Sequence, residues 1–322
     1  MSRRLLLALL VAACHHDAAA PATPGGGGSS TAPVAAAPKK PVSDLALLPI
    51  DSEAVIGVDF AQLQQSELWK QYVVPRIGTI PGLDKFHEVC GFDPLGPLKT
   101  ITMGLSNLGD KATGRVVLHG YDRKQAMSCF DKNVGNAEKD GSKITIDGEV
   151  ARVTSSDGQH VAFAFVDDAT ALVIIGPDAE RLDKIQQIAA ATDGGLEASA
   201  GFKELYGAID THQSMWLLVN GNSQAFQKSA PVGLHMKAFF GSMNVTSGLA
   251  ADVRVRVGSP DEASNFTSMA KAQLDQLKSY FDKLDVVAEA ADIHVSAAMT
   301  DAQIKQMLAL FGAAAAGGGG DD

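Results

Sequence analysis

Ile144 to Gly176 read ITIDGEVARVTSSDGQHVAFAFVDDATALVIIG. Asp147-Gly148 stands between two β-rich runs, Ile144 to Ile146 and Val150 to Val153. Ser155-Ser-Asp-Gly158 then leads into His160 to Val166, where Val161, Phe163 and Phe165 alternate with Ala162 and Ala164. After Asp167-Asp168 comes the apolar run Ala171 to Gly176. Asp-Gly supplies the positive-φ residues a tight hairpin needs, and alternation with period two marks strands. The stretch therefore predicts an antiparallel meander with one face on a core, and it disfavours a parallel, doubly wound sheet.

Working outward, Glu53 to Asp59 reads as a strand, and Ala61 to Val74 as a helix ending before Pro75. Lys99 to Leu105 and Arg115 to Tyr121 are β-rich, and Arg123 to Val134 is helical. Pro177 opens a helix over Asp178 to Ala191. Beyond it the reading is helix Gly201 to Ile209, strand Met215 to Asn220, strand Leu249 to Gly258, strand Ala290 to Met299 and helix Asp301 to Phe311. Ser259-Pro260-Asp261-Glu262 is a helix start, with an N-cap, Pro at the first position and acids in the first turn. Phe266, Ala270, Leu274, Leu277, Phe281 and Leu284 follow at helical spacing and predict one long helix.

These elements give an α+β expectation: antiparallel sheets with helices packed on one face, and a hint of two similar halves, 45–195 and 196–312. In each half a strand turns through Gly into a charged helix start, at Gly120-Tyr-Asp-Arg123 and Gly258-Ser-Pro-Asp261. Each also ends strand, Asp-Ala, helix, at Asp178-Ala179 and Asp301-Ala302.

The chain has 322 residues, 46% of them apolar and 20% charged, enough to bury one large or two medium cores. Lys and Arg number 27 against 37 Asp and Glu, a net charge of -10, which is the wrong sign for a surface that neutralises phosphates. Nucleic acid is not an expected partner. Aromatic residues make up 6%, which argues against base-stacking platforms and aromatic sugar grooves.

Arg3 and Arg4 precede the short apolar run Leu5 to Ala13, the pattern of an export signal too short to span a bilayer. The run ends Val11-Ala12-Ala13-Cys14, which resembles the lipobox of bacterial lipoproteins. That resemblance implies that residues 1–13 are removed and that Cys14 is acylated as the first residue of the mature chain. It places the protein in the cell envelope, lipid-anchored; His15 in place of Asp after Cys14 leans towards the outer membrane. Residues 14–44 read as the lipidated Cys and a flexible Ala/Pro/Gly tether, with an r.m.s. span of ~30 Å for its 28 residues from His15 to Val42. Residues 313–322 (AAAAGGGGDD) read as a disordered tail.

Leu47-Leu-Pro-Ile-Asp-Ser-Glu-Ala-Val-Ile-Gly-Val-Asp-Phe60 with Ser66-Glu-Leu-Trp69, and Cys90-Gly-Phe-Asp-Pro-Leu-Gly-Pro-Leu-Lys-Thr-Ile-Thr-Met103, are similar to two blocks of a family of exported α+β proteins from myxobacteria and related groups. The similarity covers about Leu45 to Ile188. It implies compartment and fold, and it carries no catalytic residue with it.

The search for chemistry is largely negative. Cys14-His15-His16-Asp17 is metal-friendly in residue type, but acylation would spend the sulfur as a thioether, so a tether is the preferred reading. The six remaining histidines are scattered, and none pairs with another at helical spacing, so no metal site is assigned. His87 and Cys90 form a half-site without a second half. Cys90 and Cys129 are the cysteines left once Cys14 is modified, and an exported chain predicts their disulfide; two separately buried thiols remain the alternative. Ser268-Met-Ala-Lys271 matches S-x-x-K without its companion motifs and lies inside a helix. Asp167-Asp168 reads as solvated acids in a turn, and Trp69 and Trp216 as core. No catalytic residue and no cofactor is assigned.

Three functional classes follow. The leading one is a noncatalytic, membrane-tethered envelope module that binds or assembles, with an envelope protein as partner. The others are an enzyme with a site dispersed in sequence and a carrier of an apolar ligand. A concave site with convergent His, Asp and Ser would favour the enzyme; a large apolar cavity would favour the carrier.

Overall fold

The computed structural model describes residues 42–80, 83–108, 112–139, 141–221, 223 and 235–317. The expected signal, Cys14, the tether up to residue 41 and residues 318–322 of the expected tail lie outside them.

Among the described residues twelve strands form one sheet: β1 Ala54–Asp59, β2 Thr100–Ser106, β3 Thr113–His119, β4 Lys143–Asp147, β5 Val150–Thr154, β6 His160–Phe165, β7 Thr170–Ile175, β8 Met215–Asn220, β9 Ala238–Asn244, β10 Leu249–Arg256, β11 Lys283–Glu289 and β12 Asp292–Met299. Their spatial order is β11-β12-β10-β9-β8-β1-β2-β3-β7-β6-β5-β4. Neighbours are antiparallel throughout. The Asp-Gly signal did what its chemistry requires: Asp147 pairs with Val150 around Gly148, whose φ of 64° is left-handed.

The helices are α1 Asp44–Leu47, α2 Phe60–Gln65, α3 Val74–Ile77, α4 Leu83–Cys90, α5 Arg123–Lys139, α6 Leu182–Ala189, α7 Ala200–Tyr206, α8 Pro260–Leu274 and α9 Asp301–Gly317. Residues opposite each other on neighbouring strands share a face, so the register can be followed from one strand to the next. Ala162, Ile174, Arg115, Gly104, Val55, Leu218, Phe240, Arg254 and His294 form one such row on what we term the front face. Val55, Leu172, Ile174, Leu218 and Phe240 belong to the main core there, closed by Leu47 of α1, Ile185 and Ile188 of α6 and Phe202 of α7. On the back face, Val255, Val286, Ile293 and Val295 pack against Ala263, Phe266 and Ala270 of α8, and Phe130 of α5 meets Phe163 of β6. The α+β class and the antiparallel pairing stand, but the helices cover both faces rather than one. The reason is compositional: Val161, Phe163 and Phe165 on one side of β6, and Ala162 and Ala164 on the other, leave neither face polar.

The strand order also has an internal symmetry. Read outward from the central antiparallel pair β1/β8, one side runs β1-β2-β3, a helix (α5), and a return whose last strand, β7, pairs with β3. The other runs β8-β9-β10, a helix (α8), and a return whose last strand, β12, pairs with β10. The second side lacks one hairpin. An approximate two-fold axis through the Ile56↔Leu217 pair relates the two plans, and the repeated Gly turns and Asp-Ala steps fall at equivalent joints. The halves share one sheet and do not form separate layers.

Other boundaries differ from the sequence reading. The stripe from Phe266 to Leu284 is not one helix: α8 ends at Leu274, Lys278–Tyr280 forms a 3-10 turn, and Leu284 lies in β11. β9 and β11 carry weak strand signals, and the β11–β12 turn is made by Ala290 in a left-handed conformation (φ 53°) in place of Gly or Asn. The helix expected from Ala61 to Val74 is divided into α2, a π-helical turn and α3, with Pro75 inside the last. Helix α9 continues to Gly317, past the expected start of the tail at Ala313.

Candidate functional site

The symmetry makes one region conspicuous. On the front face of the first half, Val117, Leu172, Ile174 and Ala162 are fully buried beneath α6 and its neighbours. The two-fold places Arg254, His294, Ser296 and Asp285 of the second half at the matching positions. Core positions on one side are thus polar on the other. Among the described residues no core cluster covers these positions, and a cleft of about 480 Å³ opens instead.

The cleft has two polar rows across β9, β10, β12 and β11. One is Ser242, Asp252 and Ser296; the next is Asn244, Ala250, Ala298 and Lys283. Small side chains at Ala250, Ala298 and both serines leave the floor low. The wall comes from residues 208–213, the segment joining α7 to β8. Asp210 Oδ1 accepts from the backbone N–H of His212 (3.1 Å), its Oδ2 accepts from Gln213 Nε2 (2.5 Å), and Gln213 Oε1 accepts from Asn244 Nδ2 (2.7 Å). These bonds hold the Asp210 carboxyl below the usual carboxylate range, led by the one from Gln213. Lys283, at the other end, is exposed and carries no ion pair among the described residues.

Beside the floor lies a charge network. His294 Nε2 meets Asp252 Oδ2 at 2.9 Å, and its Nδ1 meets Glu289 Oε1 at 2.9 Å. Burial opposes a charge on His294, but hydrogen bonds to Glu289 and Asp252 outweigh it and raise the imidazole pKa. Arg254 Nη1 binds Glu289 at 2.6 Å. Arg256 forks onto both oxygens of Asp292 (2.7 and 3.0 Å), reaches Glu204 (2.6 Å) and stands 5.7 Å from the Phe240 ring centre.

Asp252, His294 and Ser296 look like a hydrolase triad in residue type. Their geometry argues against that chemistry. Ser296 Oγ lies 3.5 Å from His294 Nε2, the nitrogen already engaged by Asp252, and the second nitrogen faces Glu289. A ring held between two carboxylates is favoured as an imidazolium, with both N–H groups donating. Such a ring has no lone pair with which to take a serine proton. The cluster is suited to holding charge in place.

The sequence-stretch candidates lie elsewhere. Cys90 and Cys129 join α4 to α5, their Cα atoms 4.7 Å apart and their sulfurs at bonding distance. Asp167 accepts from Ala169 N–H and Thr170 Oγ1, and Asp168 pairs with Arg123, so both acids serve their turn. Ser268 Oγ donates to Ser264 O within α8. His87 is exposed. Among the described residues no group of three His, Cys, Asp or Glu side chains is arranged to hold a metal ion. Trp216 is buried in the core as read; Trp69 is half-buried against Phe60. The sequence reading missed the cleft because its residues come from five separated segments. The one available signal was the alternation in β10, where Asp252, Arg254 and Arg256 interrupt Val253, Val255 and Val257.

No family model matches this chain, and no curated protein does. Solved structures of the protein TP0453 are similar. Crystal form III superposes with a TM-score of 0.53 over 83% of this chain and 97% of that one, at 10% identity. Crystal form I gives 0.51 over 84% and 98%, at 11% identity. The likeness is one of fold.

Proposed function

We propose that this protein is a noncatalytic binding module of the bacterial cell envelope, held to a membrane by acylated Cys14 and presenting the front-face cleft of its second half to a polar ligand. One observation carries the reading: positions that are core in the first half are polar and open in the second. Placing Arg254 and His294 where Val117 and Leu172 stand forgoes apolar burial worth roughly 2 kcal/mol per large side chain. A purely structural sheet has no use for that sacrifice. The tether supports the reading, since a long flexible spacer extends the reach of a binding body and contributes nothing to bond making. The paired state of His294 supports binding over turnover.

The test is a thermal-shift panel of amino acids, short peptides, sugars and organic anions on the mature protein and on Ala298→Trp, which fills the cleft. A compound that stabilises the wild type and leaves Ala298→Trp unmoved is the expected result. Hydrolase or transferase turnover abolished by Ser296→Ala in a folded protein would overturn the noncatalytic reading.

A second reading, a carrier of an apolar ligand, draws on the back face of the central strands. There Ile56, Val58, Ile101, Met103, Met215 and Leu217 are apolar yet only half-buried. Saturable micromolar binding of an apolar fluorescent probe, weakened by Met103→Lys, would favour it.

A further inference from the structure

We propose that the cleft accepts a short peptide with both termini free, its ammonium group at Asp210 and its carboxylate at Lys283. This rests on the cleft being the binding site, and it names the ligand class.

The two ends of the cleft carry opposite charge. Asn244, Ala250, Ala298 and Lys283 face one another on four adjacent strands, so Asn244 and Lys283 stand about 14 Å apart at ~4.8 Å per strand. Asp210 belongs to the Asn244 end through Gln213, which bonds to both. Among the described residues Lys283 has no ion pair at the other end, and Arg254, the remaining cation of the lining, is already engaged by Glu289. A ligand lying along this row therefore meets the Asp210 carboxylate beyond the Asn244 end and an unpaired ammonium at the Lys283 end, with about 14 Å of floor between those two strand positions. At ~3.3 Å per residue an extended tetrapeptide spans about 13 Å.

The floor between the ends suits a backbone more than a large side chain. Ala250 and Ala298 leave room without offering a deep apolar slot, and the hydroxyls of Ser242 and Ser296 in the neighbouring row can serve peptide C=O and N–H groups alike. Among the described residues no aromatic ring lines the cleft, so they offer a stacked sugar or base no platform. A single amino acid carries the same two charges but only about 3 Å apart, and it cannot reach both ends.

The experiment uses the mature protein and titration calorimetry with tetra-alanine in three forms: free, N-acetylated and C-amidated. The free peptide is expected to bind at least tenfold more tightly than either capped form. Lys283→Gln should erase the difference between the free and C-amidated peptides while keeping the penalty for acetylation, and Asp210→Asn should do the reverse. Lys283 is exposed, so its substitution leaves folding intact and keeps the test interpretable if Asp210→Asn disturbs the loop. Equal binding of capped and free peptides, or no binding of any, would overturn the peptide assignment and leave the cleft reading standing. Free-peptide binding that persists unchanged in Ala298→Trp would place the peptide outside the cleft and count against both.

Discussion

Gly57 and Trp216 face each other across β1 and β8, and a Cβ built on residue 57 would fall inside the indole ring. The glycine is there because the tryptophan lies over it. Gly57→Val should therefore cost about 2 kcal/mol or more by overpacking and push Trp216 from its core site. Urea unfolding monitored by tryptophan emission should show an earlier midpoint and a red-shifted native spectrum. His119 carries a second residue-scale consequence. Its Nε2 meets Asp44 Oδ1 at 2.8 Å and its Nδ1 meets Thr170 at 3.1 Å, while Thr102 holds the other Asp44 oxygen at 2.6 Å. The bond to Asp44 raises the His119 pKa, with Asp167 adding to it. For Asp44, burial opposes the charge, but the bonds from His119 and Thr102 prevail and lower its pKa. A raised histidine stabilises the fold below its unfolded pKa and loses that contribution as pH rises through the folded value; a lowered carboxylate loses its own as pH falls. The pair should be most stabilising between the two, in mildly acidic solution. Melting temperatures measured from pH 5.5 to 8.5 should fall more steeply for the wild type than for His119→Gln, a difference of about 1 kcal/mol at most for a partly exposed pair.

At the scale of elements, α4 is short and gains its hold on α5 through Cys90 and Cys129, 39 residues apart in sequence. Closing a loop of this length is worth about 4 kcal/mol in the chain-entropy model, and removing native disulfides costs roughly 2–5. Cys90→Ser with Cys129→Ser should lower stability within that range in denaturant unfolding, and thiol labelling of the denatured, unreduced protein should find neither sulfur free. Local signals were legible wherever local chemistry suffices. Asp147-Gly148 forms its hairpin, and Ser259 caps α8 by accepting from Glu262 N–H, while the Glu262 carboxylate reaches back to Gly258 N–H. They failed where a period was shared by two structures. Leu277, Phe281 and Leu284 continue a helical stripe in sequence, yet the chain turns after Leu274 because β11 gains a full antiparallel ladder with β12 and buries Val286.

For the whole molecule, the approximate two-fold turns a list of strands into an argument. It sets Val117 against Arg254 and Leu172 against His294, and so separates a half built to be covered from a half built to stay open. On the same front face of the first half, Arg115 is buried with Asp193 at 2.7 Å and also donates to Leu47 O, tying β3 to α1 and to the segment after α6. The proposed acylation of Cys14 makes its own prediction: metabolic labelling with a palmitate analogue should be lost in Cys14→Ala, and a soluble, unlabelled wild type would sink the proposal. Sequence alone determined the α+β class, the antiparallel pairing and the positions of the two cysteines that meet, because hairpin turns, period-two alternation and helix caps are decided within a few residues. Only the tertiary structure decided which face each strand buries, that helices cover both faces, and that Asp210, Ser242, Asp252, Ser296 and Lys283 converge. That convergence depends on register between strands far apart in the chain, and register is set by the packing of the whole sheet.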